Sequence, residues 1–215
     1  MTAPTLQDIL EKTVSADPKD QQVALDYLKQ ALESNFAEFL KHLTEILAQT
    51  GQKPTVRQAA GLQLKNVLVT KDEKLKEQLV QRWMTVSEPL RFEIKNSVLQ
   101  TLGTESTRPS IAAQCVASIA CAELPLGLWP ECITRLMQNV VEEQATEMLK
   151  ESSLEALGYI CQDLESDVLQ ARSKEIVTAI FHGMKQQEQS NNVRLAATQA
   201  LLNSLEFIRP IFENE

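Results

Sequence analysis

The sequence predicts an all-α protein that folds as a right-handed α-solenoid, in which helix pairs stack into a superhelix. Leu, Ala, Gln, Glu and Lys dominate the 215-residue chain, and these residues are strong helix formers. Aromatic residues make up only 5% of the chain, and six glycines and eight prolines are too few for a loop-rich β-sandwich. An internal repeat predicts the solenoid itself, because repeats of this kind bury their apolar faces only against their neighbours.

The repeat opens every second predicted helix. An aliphatic residue is followed by a basic residue at +1, a small residue at +4 and another aliphatic residue at +8, as in Val56, Arg57, Ala60 and Leu64. Positions 0, +4 and +8 lie on one helix face, and the small residue lets a partner helix approach closely. This pattern is typical of HEAT repeats, and we predict about five of them. The copies begin at residues 24, 56, 111, 149 and 193, the first being weaker and the third having Ala112 at the basic position.

We assign the basic residue of the repeat to structure. In HEAT arrays this position commonly pairs with an acidic residue at the preceding turn. The basic residues are Arg57, Lys150 and Arg194, and of the nearby turn positions only Glu188 is acidic. We expect all three basic side chains to support the helix packing.

The whole chain, 1–215, is expected to form a single solenoid. The second and third copies of the repeat are separated widely enough for one extra helix, which we place from Lys71 to Trp83. Repeats one and two, the extra helix and the start of repeat three are assigned to 23–103, repeats three and four to 104–163, repeat five to 164–209, and the start of a sixth repeat to 210–215.

Charge and apolar patterning limit the partners. The net charge of −8 disfavours binding along a nucleic-acid backbone. Residues 51–108 carry ten basic against six acidic residues, whereas 1–50 carry four against eight and 109–215 seven against fifteen. The basic middle segment is either a face for an acidic partner or ordinary solvated helix surface. No run approaches the ~18 apolar residues that span a bilayer, so we expect no membrane insertion.

The cysteine pattern and the amino terminus indicate an intracellular protein. None of the four cysteines forms a C-x-x-C pair, and most have apolar neighbours, which is typical of reduced, buried thiols in the cytosol or nucleus. The amino terminus lacks the basic and apolar regions of a signal peptide.

No arrangement of residues indicates catalysis. The two histidines, His42 and His182, lie 140 positions apart, and neither has acidic or thiol neighbours at metal-ligand spacing. The six glycines are too scattered for a phosphate-binding loop. We therefore expect no enzyme activity, no cofactor and no metal.

One segment carries a more specific signature. The run from Val56 to Leu68 contains the pattern R-x-x-A-x-x-x-L-K-N and is followed by Gln81-Arg82-Trp83. It resembles the amino-terminal signature of the importin-β (karyopherin-β) family of nuclear transport receptors, and further similar stretches extend the resemblance over essentially the whole chain. These stretches are 98–105, 114–117, 157–163 and 190–193.

The resemblance implies a nuclear import receptor that works in the cytoplasm, the nucleus and at the nuclear pore. It assigns 23–103 to the family's amino-terminal domain. Family members are several times longer, which implies that the repeat beginning at 210 is truncated. The adaptor importin-α is bound by later repeats, so we expect this chain to lack most of that site.

The resemblance also implies that Ran-GTP docks on the concave face, which the second, or B, helix of each repeat lines. With Val56, Ala60 and Leu64 in the core, residues on the opposite side of the helix should point toward Ran. The same logic applies to the next B helices. The expected Ran-binding residues are Leu62, Lys65, Asn66, Val69, Gln114, Ala117, Ser118, Glu155 and Gln162.

A second binding site is implied on the first, or A, helix of repeat five. Over Val168–Met184 one apolar stripe should face the core, and Val177, Phe181 and Met184 form a second stripe. This second stripe is covered either by the first helix of a sixth repeat or by Phe-Gly nucleoporins, which in this family insert a Phe between the outer helices of repeats five and six. Because the sixth repeat is truncated, we expect only half of that site here and weak binding. Val177, Thr178 and Phe181 are the expected nucleoporin-binding residues.

A generic HEAT-repeat scaffold, such as a phosphatase regulatory subunit, is the alternative function. It would use the same concave face for other partners. Lys65 and Asn66 together with Trp83 favour the transport receptor, because a scaffold has no reason to retain that combination.

Overall fold

A computed structural model describes residues 4–213 of the chain, with side chains for residues 4–209 except residue 73. Within this range the chain forms twelve α-helices, one short 3-10 helix and no β-strand, which confirms the all-α prediction. The chain divides into two compact units, Met1–Thr101 and Leu102–Glu215.

The first unit contains six helices. Several begin where the sequence provides a cap: Thr5 and Asp17 accept backbone N–H groups at the starts of the first two helices, and Pro54 occupies the first turn of the fourth. The helices are α1 (Leu6–Lys12), α2 (Pro18–Ser34), α3 (Phe36–Ala48), α4 (Pro54–Asn66), α5 (Glu73–Met84) and α6 (Glu88–Thr101).

The second unit contains the other six helices and the 3-10 helix at Leu124–Leu126. Ser110 and Thr146 cap two of these helices through their hydroxyl groups. The helices are α7 (Ile111–Glu123), α8 (Glu131–Val141), α9 (Glu147–Asp163), α10 (Ser166–Gln170), α11 (Ser173–Met184) and α12 (Asn191–Glu213).

The small residues of the repeat lie in the core, as predicted. Ala60, Cys115, Ser153 and Ala197 are all fully buried. In the second unit α9 packs against α12 with the Cα of Ala200 only 3.4 Å from the position that a Cβ on Gly158 would take. The small residues therefore determine how closely the helices approach.

Gly103 makes a closer approach. Its φ of +75° favours glycine, and a Cβ there would lie 2.8 Å from the backbone Cα of Leu149. No side chain fits at this position without a shift of the backbone.

The extra helix is present as α5. The Arg82 guanidinium donates to the carbonyl of Leu32 at 2.6 Å and lies 4.3 Å from the centre of the Phe36 ring. Trp83 is fully buried. The end of α5 is therefore fixed to the rest of the first unit by one buried aromatic residue and one cation.

Two of the basic repeat residues have the structural role that we predicted. Arg57 is 5% exposed, and its Nε donates to the carbonyl of Leu47 at 2.7 Å. The Nζ of Lys150 lies 3.7 Å from Glu188, and both side chains are largely buried. The third, Arg194, is exposed.

Two boundaries differ from the prediction. The helix expected over Val168–Met184 is interrupted between α10 and α11, where the backbone of Arg172 leaves the helical region with φ −114° and ψ 8°. No glycine or proline marks this break, so the apolar periodicity gave no sign of it. Helix α12 continues to Glu213, past the boundary expected at 209, so residues 210–213 extend a helix; residues 214 and 215 lie outside the described part.

Candidate partner-binding surfaces

The face of α4 opposite its core residues has the exposure that the sequence predicted. Leu62 is 41% exposed and Val69, just beyond the helix end, is 46% exposed. Asn66 is also exposed, and Lys65 is half-buried in the last turn, where a positive charge is favourable. We call these four residues the α4 patch.

Helix α7 does not have an equivalent exposed face. Ala117 is 3% and Ser118 8% exposed, and the Ser118 hydroxyl donates to the carbonyl of Cys115 at 2.9 Å. The expectation that Ala117 and Ser118 point toward a partner is therefore wrong. The physical reason is that α7 is buried on nearly all sides and packs against α9 and the 3-10 helix, and its nearly continuous run of apolar and small residues was the available signal.

Only one of the three α7 residues predicted to contact Ran is accessible. Gln114 is half-exposed, whereas its two predicted companions lie in the core.

On α9, Glu155 is half-buried and Gln162 is exposed. One carboxylate oxygen of Glu155 accepts the backbone N–H of Ser110 at 2.8 Å. Burial, together with the nearby charges of Glu151 and Glu105, raises the pKa of Glu155 to about 6, while the hydrogen bond from Ser110 and the charge of Arg108 act in the opposite direction.

Sequence reasoning missed a carboxylate network beside Glu155. The Nε of Arg108 donates to both oxygens of Glu151, at 2.7 and 3.0 Å, and its guanidinium lies 3.7 Å from Glu147. The buried Glu105 accepts the Ser110 hydroxyl and the N–H of Ala112. The bonds of Arg108 to Glu151 and of Ser110 to Glu155 hold the 104–110 loop against α9. These two contacts join residues 43 and 45 positions apart, so no local pattern marked them.

A groove of about 330 Å³ lies between α9 and α12. Its floor is apolar and includes the fully buried Leu154, while Leu195 on its rim is 68% exposed. We call this feature the α9–α12 groove. Its remaining lining residues are Arg108, Pro109, Glu151, Glu155, Gly158, Tyr159, Asn192, Ala196, Gln199, Ala200 and Asn203.

Helix α11 presents the second stripe that the sequence predicted. Phe181 is 46% and Met184 37% exposed, Val177 is half-buried and Thr178 is exposed. The core stripe is confirmed, since all of its members are buried: Leu169, Ser173, Ile176, Ile180 and Gly183.

Among the described residues, no group of three His, Cys, Asp or Glu side chains is placed to hold a metal ion. No helix in that part of the chain is long and apolar enough to cross a membrane. All four cysteines are free thiols, and burial raises the pKa of Cys161 to about 12.

Comparison with known sequences identifies relatives for the whole chain. A model of the importin-β amino-terminal domain matches residues 24–104. Importin subunit β-1 of Schizosaccharomyces pombe is 38% identical over 97% of this chain and 24% of its own length. Importin subunit β-1 of Saccharomyces cerevisiae is 37% identical over 100% of this chain and 25% of its own length. The chain thus spans about a quarter of the length of the curated relatives that it matches.

Comparison with solved structures agrees. A Kap95:Nup1 complex has a TM-score of 0.85 and 36% identity over 99% of this chain and 25% of the solved chain. A structure in which Kap95p binding induces the switch loops of RanGDP to adopt the GTP-bound conformation has a TM-score of 0.89 and 36% identity, with the same coverage. These likenesses confirm the predicted HEAT-repeat solenoid class. With relatives along its whole length in both sequence and fold, the chain belongs to the importin-β family.

Proposed function

We propose that the chain is part of a nuclear import receptor and that its B helices bind Ran-GTP. The exposed α4 patch is the observation that carries this proposal. Leu62 and Val69 are large apolar side chains in water on either side of Lys65 and Asn66. Covering each aliphatic side chain contributes about 1 kcal/mol, because roughly half of its surface is still exposed.

A partner surface with both apolar and acidic or polar groups fits the α4 patch. Lys65 supplies a charge and Asn66 supplies both a donor and an acceptor, which gives orientation to an otherwise apolar contact. A few desolvated groups of this kind carry most of the affinity in protein interfaces.

The nucleotide preference follows from the conformation of Ran. In the related Kap95p structure, binding is accompanied by a change of the RanGDP switch loops to the GTP-bound conformation. A receptor surface that fits this conformation binds Ran-GTP directly. Binding of Ran-GDP is weaker, because part of the binding free energy is used to change the conformation of its switch loops. A preference of 10³-fold corresponds to about 4 kcal/mol.

In the second unit, Gln114, Glu155 and Gln162 are the residues that we propose for Ran contact. They are at least partly accessible, whereas the buried Ala117 and Ser118 are excluded from direct contact. Gln162 has a loose side-chain contact of 3.5 Å with Asn203, which leaves its amide able to turn toward a partner.

Affinity measurements with Ran test this function. Lys65→Glu and Asn66→Ala should each weaken binding of GTP-loaded Ran by about tenfold, equivalent to 1.4 kcal/mol, while GDP-loaded Ran binds weakly throughout. Lys41→Glu on α3 is the matched control and should bind as the parent chain does. Losses below twofold for both patch variants would contradict the site.

We also propose that the outer face of α11 contributes to nucleoporin docking. Val177, Thr178 and Phe181 offer an apolar surface with one hydroxyl, and the related Kap95 forms a complex with Nup1. A single Phe-Gly contact on this face should be weak, about millimolar or near −4 kcal/mol. Transport would depend on many such contacts acting together, in a receptor moving between cytoplasm and nucleus through the pore.

Titration of a Phe-Gly peptide by NMR tests this second site. Signals of Val177, Thr178 and Phe181 should shift, and Phe181→Ala should abolish the shifts because it removes the largest apolar contact. Phe92→Ala is the control, since Phe92 is 59% exposed on α6 and Phe181 46% on α11. Shifts confined to another surface would disprove the assignment.

A further inference from the structure

A second, more polar pocket of about 410 Å³ lies where the end of α11 meets the start of α9. Its volume falls within the range for ligand sites, which runs from about 300 to 1,000 Å³. We call it the His182 pocket. Its lining residues come from the loop between α8 and α9, from α9, from α11 and from the loop after α11: Glu143, Lys150, His182, Lys185, Gln187 and Glu188.

His182 offers this pocket a hydrogen-bond donor. Its Nδ1 atom is buried and has no hydrogen-bond partner among the described residues. Because nothing accepts a proton from Nδ1, the neutral ring carries its proton on Nε2. The Nε2 N–H is therefore the donor that the ring presents to a ligand.

The lysines of the pocket have N–H groups to spare. One oxygen of Glu188 accepts the Ser190 N–H at 2.9 Å, and the other lies 3.7 Å from Nζ of Lys150. The carboxylate of Glu188 is therefore satisfied, whereas an ammonium has three N–H groups, so one ion pair leaves others available at Lys150. Lys185 forms no ion pair with any described residue, and neither does Glu143.

The balance of charge around His182 is positive. Burial lowers the pKa of His182, and the charges of Lys185 and Lys150 lower it further; Glu188 and Glu143 raise it, but each acts less strongly than either lysine. The ring is therefore neutral at pH 7. An anion is the complement of this pocket.

Backbone hydrogen bonds fix the loop that carries two of these charges. The N–H of Glu188 donates to the carbonyl of Lys185 at 3.0 Å, and the N–H of Lys185 donates to the carbonyl of His182 at 3.4 Å. The Lys150 and Glu188 side chains are each only 14% exposed, so they are held in place. A ligand therefore meets donors that lose little freedom when it binds.

We propose that the His182 pocket binds a phosphate group through Lys150, Lys185 and the Nε2 N–H of His182. A phosphate on an organic group has a charge of about −1.5 to −2 at pH 7 and three strong acceptor oxygens, which matches three donors in a positive surrounding. A carboxylate has one charge and fewer oxygens. The same chemistry is presented by inorganic phosphate and by a phosphorylated serine side chain.

This site goes beyond the proposed function. None of its lining residues is among those proposed for Ran or nucleoporin contact. Failure of the phosphate site would leave both of those proposals as they stand.

NMR titration at constant ionic strength tests the proposal. The ¹⁵N-labelled chain is titrated at pH 7.5 with sodium phosphate and, separately, with the acetylated, amidated tripeptide Gly-phosphoserine-Gly. Backbone signals of His182, Gln187 and Glu188 should shift, with a Kd of about 1 mM. Sodium acetate should bind about tenfold more weakly, because it has a single charge, and the unphosphorylated tripeptide should cause no shift.

The two phosphate probes distinguish the sources. A Kd for the phosphorylated tripeptide that is lower by about fivefold or more would identify a phosphorylated side chain as the ligand. Equal Kd values would identify free phosphate.

Two matched pairs of variants locate the donors. Lys185→Gln should weaken phosphate binding by about fivefold, whereas Lys174→Gln, an exposed lysine near the other end of α11, should not. His182→Phe keeps a ring but removes its N–H and should weaken binding by about threefold. His42→Phe, on the exposed side of α3, is its control.

A third pair should strengthen binding. Glu143→Gln removes the negative charge that opposes an anion in the pocket and should lower the Kd by about twofold to threefold. Glu142→Gln, the exposed neighbour outside the pocket, should leave it unchanged. Loss of fold cannot produce tighter binding. Shifts confined to another surface, acetate binding as tightly as phosphate, or unchanged affinity in both Lys185→Gln and Glu143→Gln would overturn the proposal.

Discussion

Helix α4 and helix α7 carry the same repeat pattern, but only α4 exposes the face opposite its core residues. Leu62 of α4 and Ala117 of α7 both stand six positions after the first aliphatic residue, yet they are 41% and 3% exposed. The sequence of α4 has charged and amide side chains among its apolar residues, whereas the sequence of α7 is apolar or small nearly throughout. The repeat thus predicts the buried face of each helix. Whether the opposite face is exposed depends on which elements pack against it.

The equivalent positions Leu62 and Ala117 provide the largest test of this contrast. Ala117→Glu should lower the free energy of unfolding by about 3 kcal/mol or more, because it places an unpaired carboxylate in the core. Leu62→Glu should change it by less than about 1 kcal/mol, since that side chain already meets water. Urea unfolding followed by circular dichroism measures both. Similar losses in the two variants would show that the α4 face is covered.

The basic position of the repeat provides a second, smaller test. Arg57 is buried and donates to the Leu47 carbonyl, whereas Arg194 at the same position of α12 is exposed. Arg57→Ala should destabilise the chain by about 2 kcal/mol, because it leaves that carbonyl short of a donor and removes packing. Arg194→Ala should cost less than about 0.5 kcal/mol. Equal midpoints of urea unfolding would contradict the structural role of Arg57.

The starts of the two helices differ as well. The position before α4 is Lys53, whose side chain makes no capping bond, whereas α7 is capped by Ser110, whose N–H is held by Glu155. Burial raises the pKa of Glu155 from its ordinary value of 4.5 to about 6. The folded state therefore binds this proton more tightly, and the stability that Glu155 contributes below pH 4.5 is lost as the pH rises through 6.

This linkage predicts the smallest effect. Glu155→Gln, which is neutral at every pH, should be more stable than the parent chain by about 1 kcal/mol at pH 7.5, after allowance for partial solvent screening. The two should be equally stable near pH 4. Glu206→Gln on α12 is the control and should show no such difference. A variant that is less stable at pH 7.5 would mean that the charged bond to the Ser110 N–H outweighs the burial.

The sequence predicted some surfaces well because they depend on one helix alone. The two stripes of α11 follow from a spacing of 3.6 residues, and Phe181 lies on the exposed stripe as expected. The break before α11 at Arg172 was missed, since both sides of it continue the same apolar spacing. Ala117 and Ser118 were misplaced because a small residue fits equally on a surface and in a crowded core.

The sequence by itself determined the all-α class, the repeat, the extra helix and the family, because each of these depends only on the spacing of residues along one segment or on a contiguous motif. The tertiary structure decided which outer faces remain open to a partner. It also brought Arg108 and Ser110 from the loop onto α9, and it opened a groove between α9 and α12 where Gly158 meets Ala200. These features depend on contacts between residues about forty positions apart, and the spacing within one helix carries no information about them.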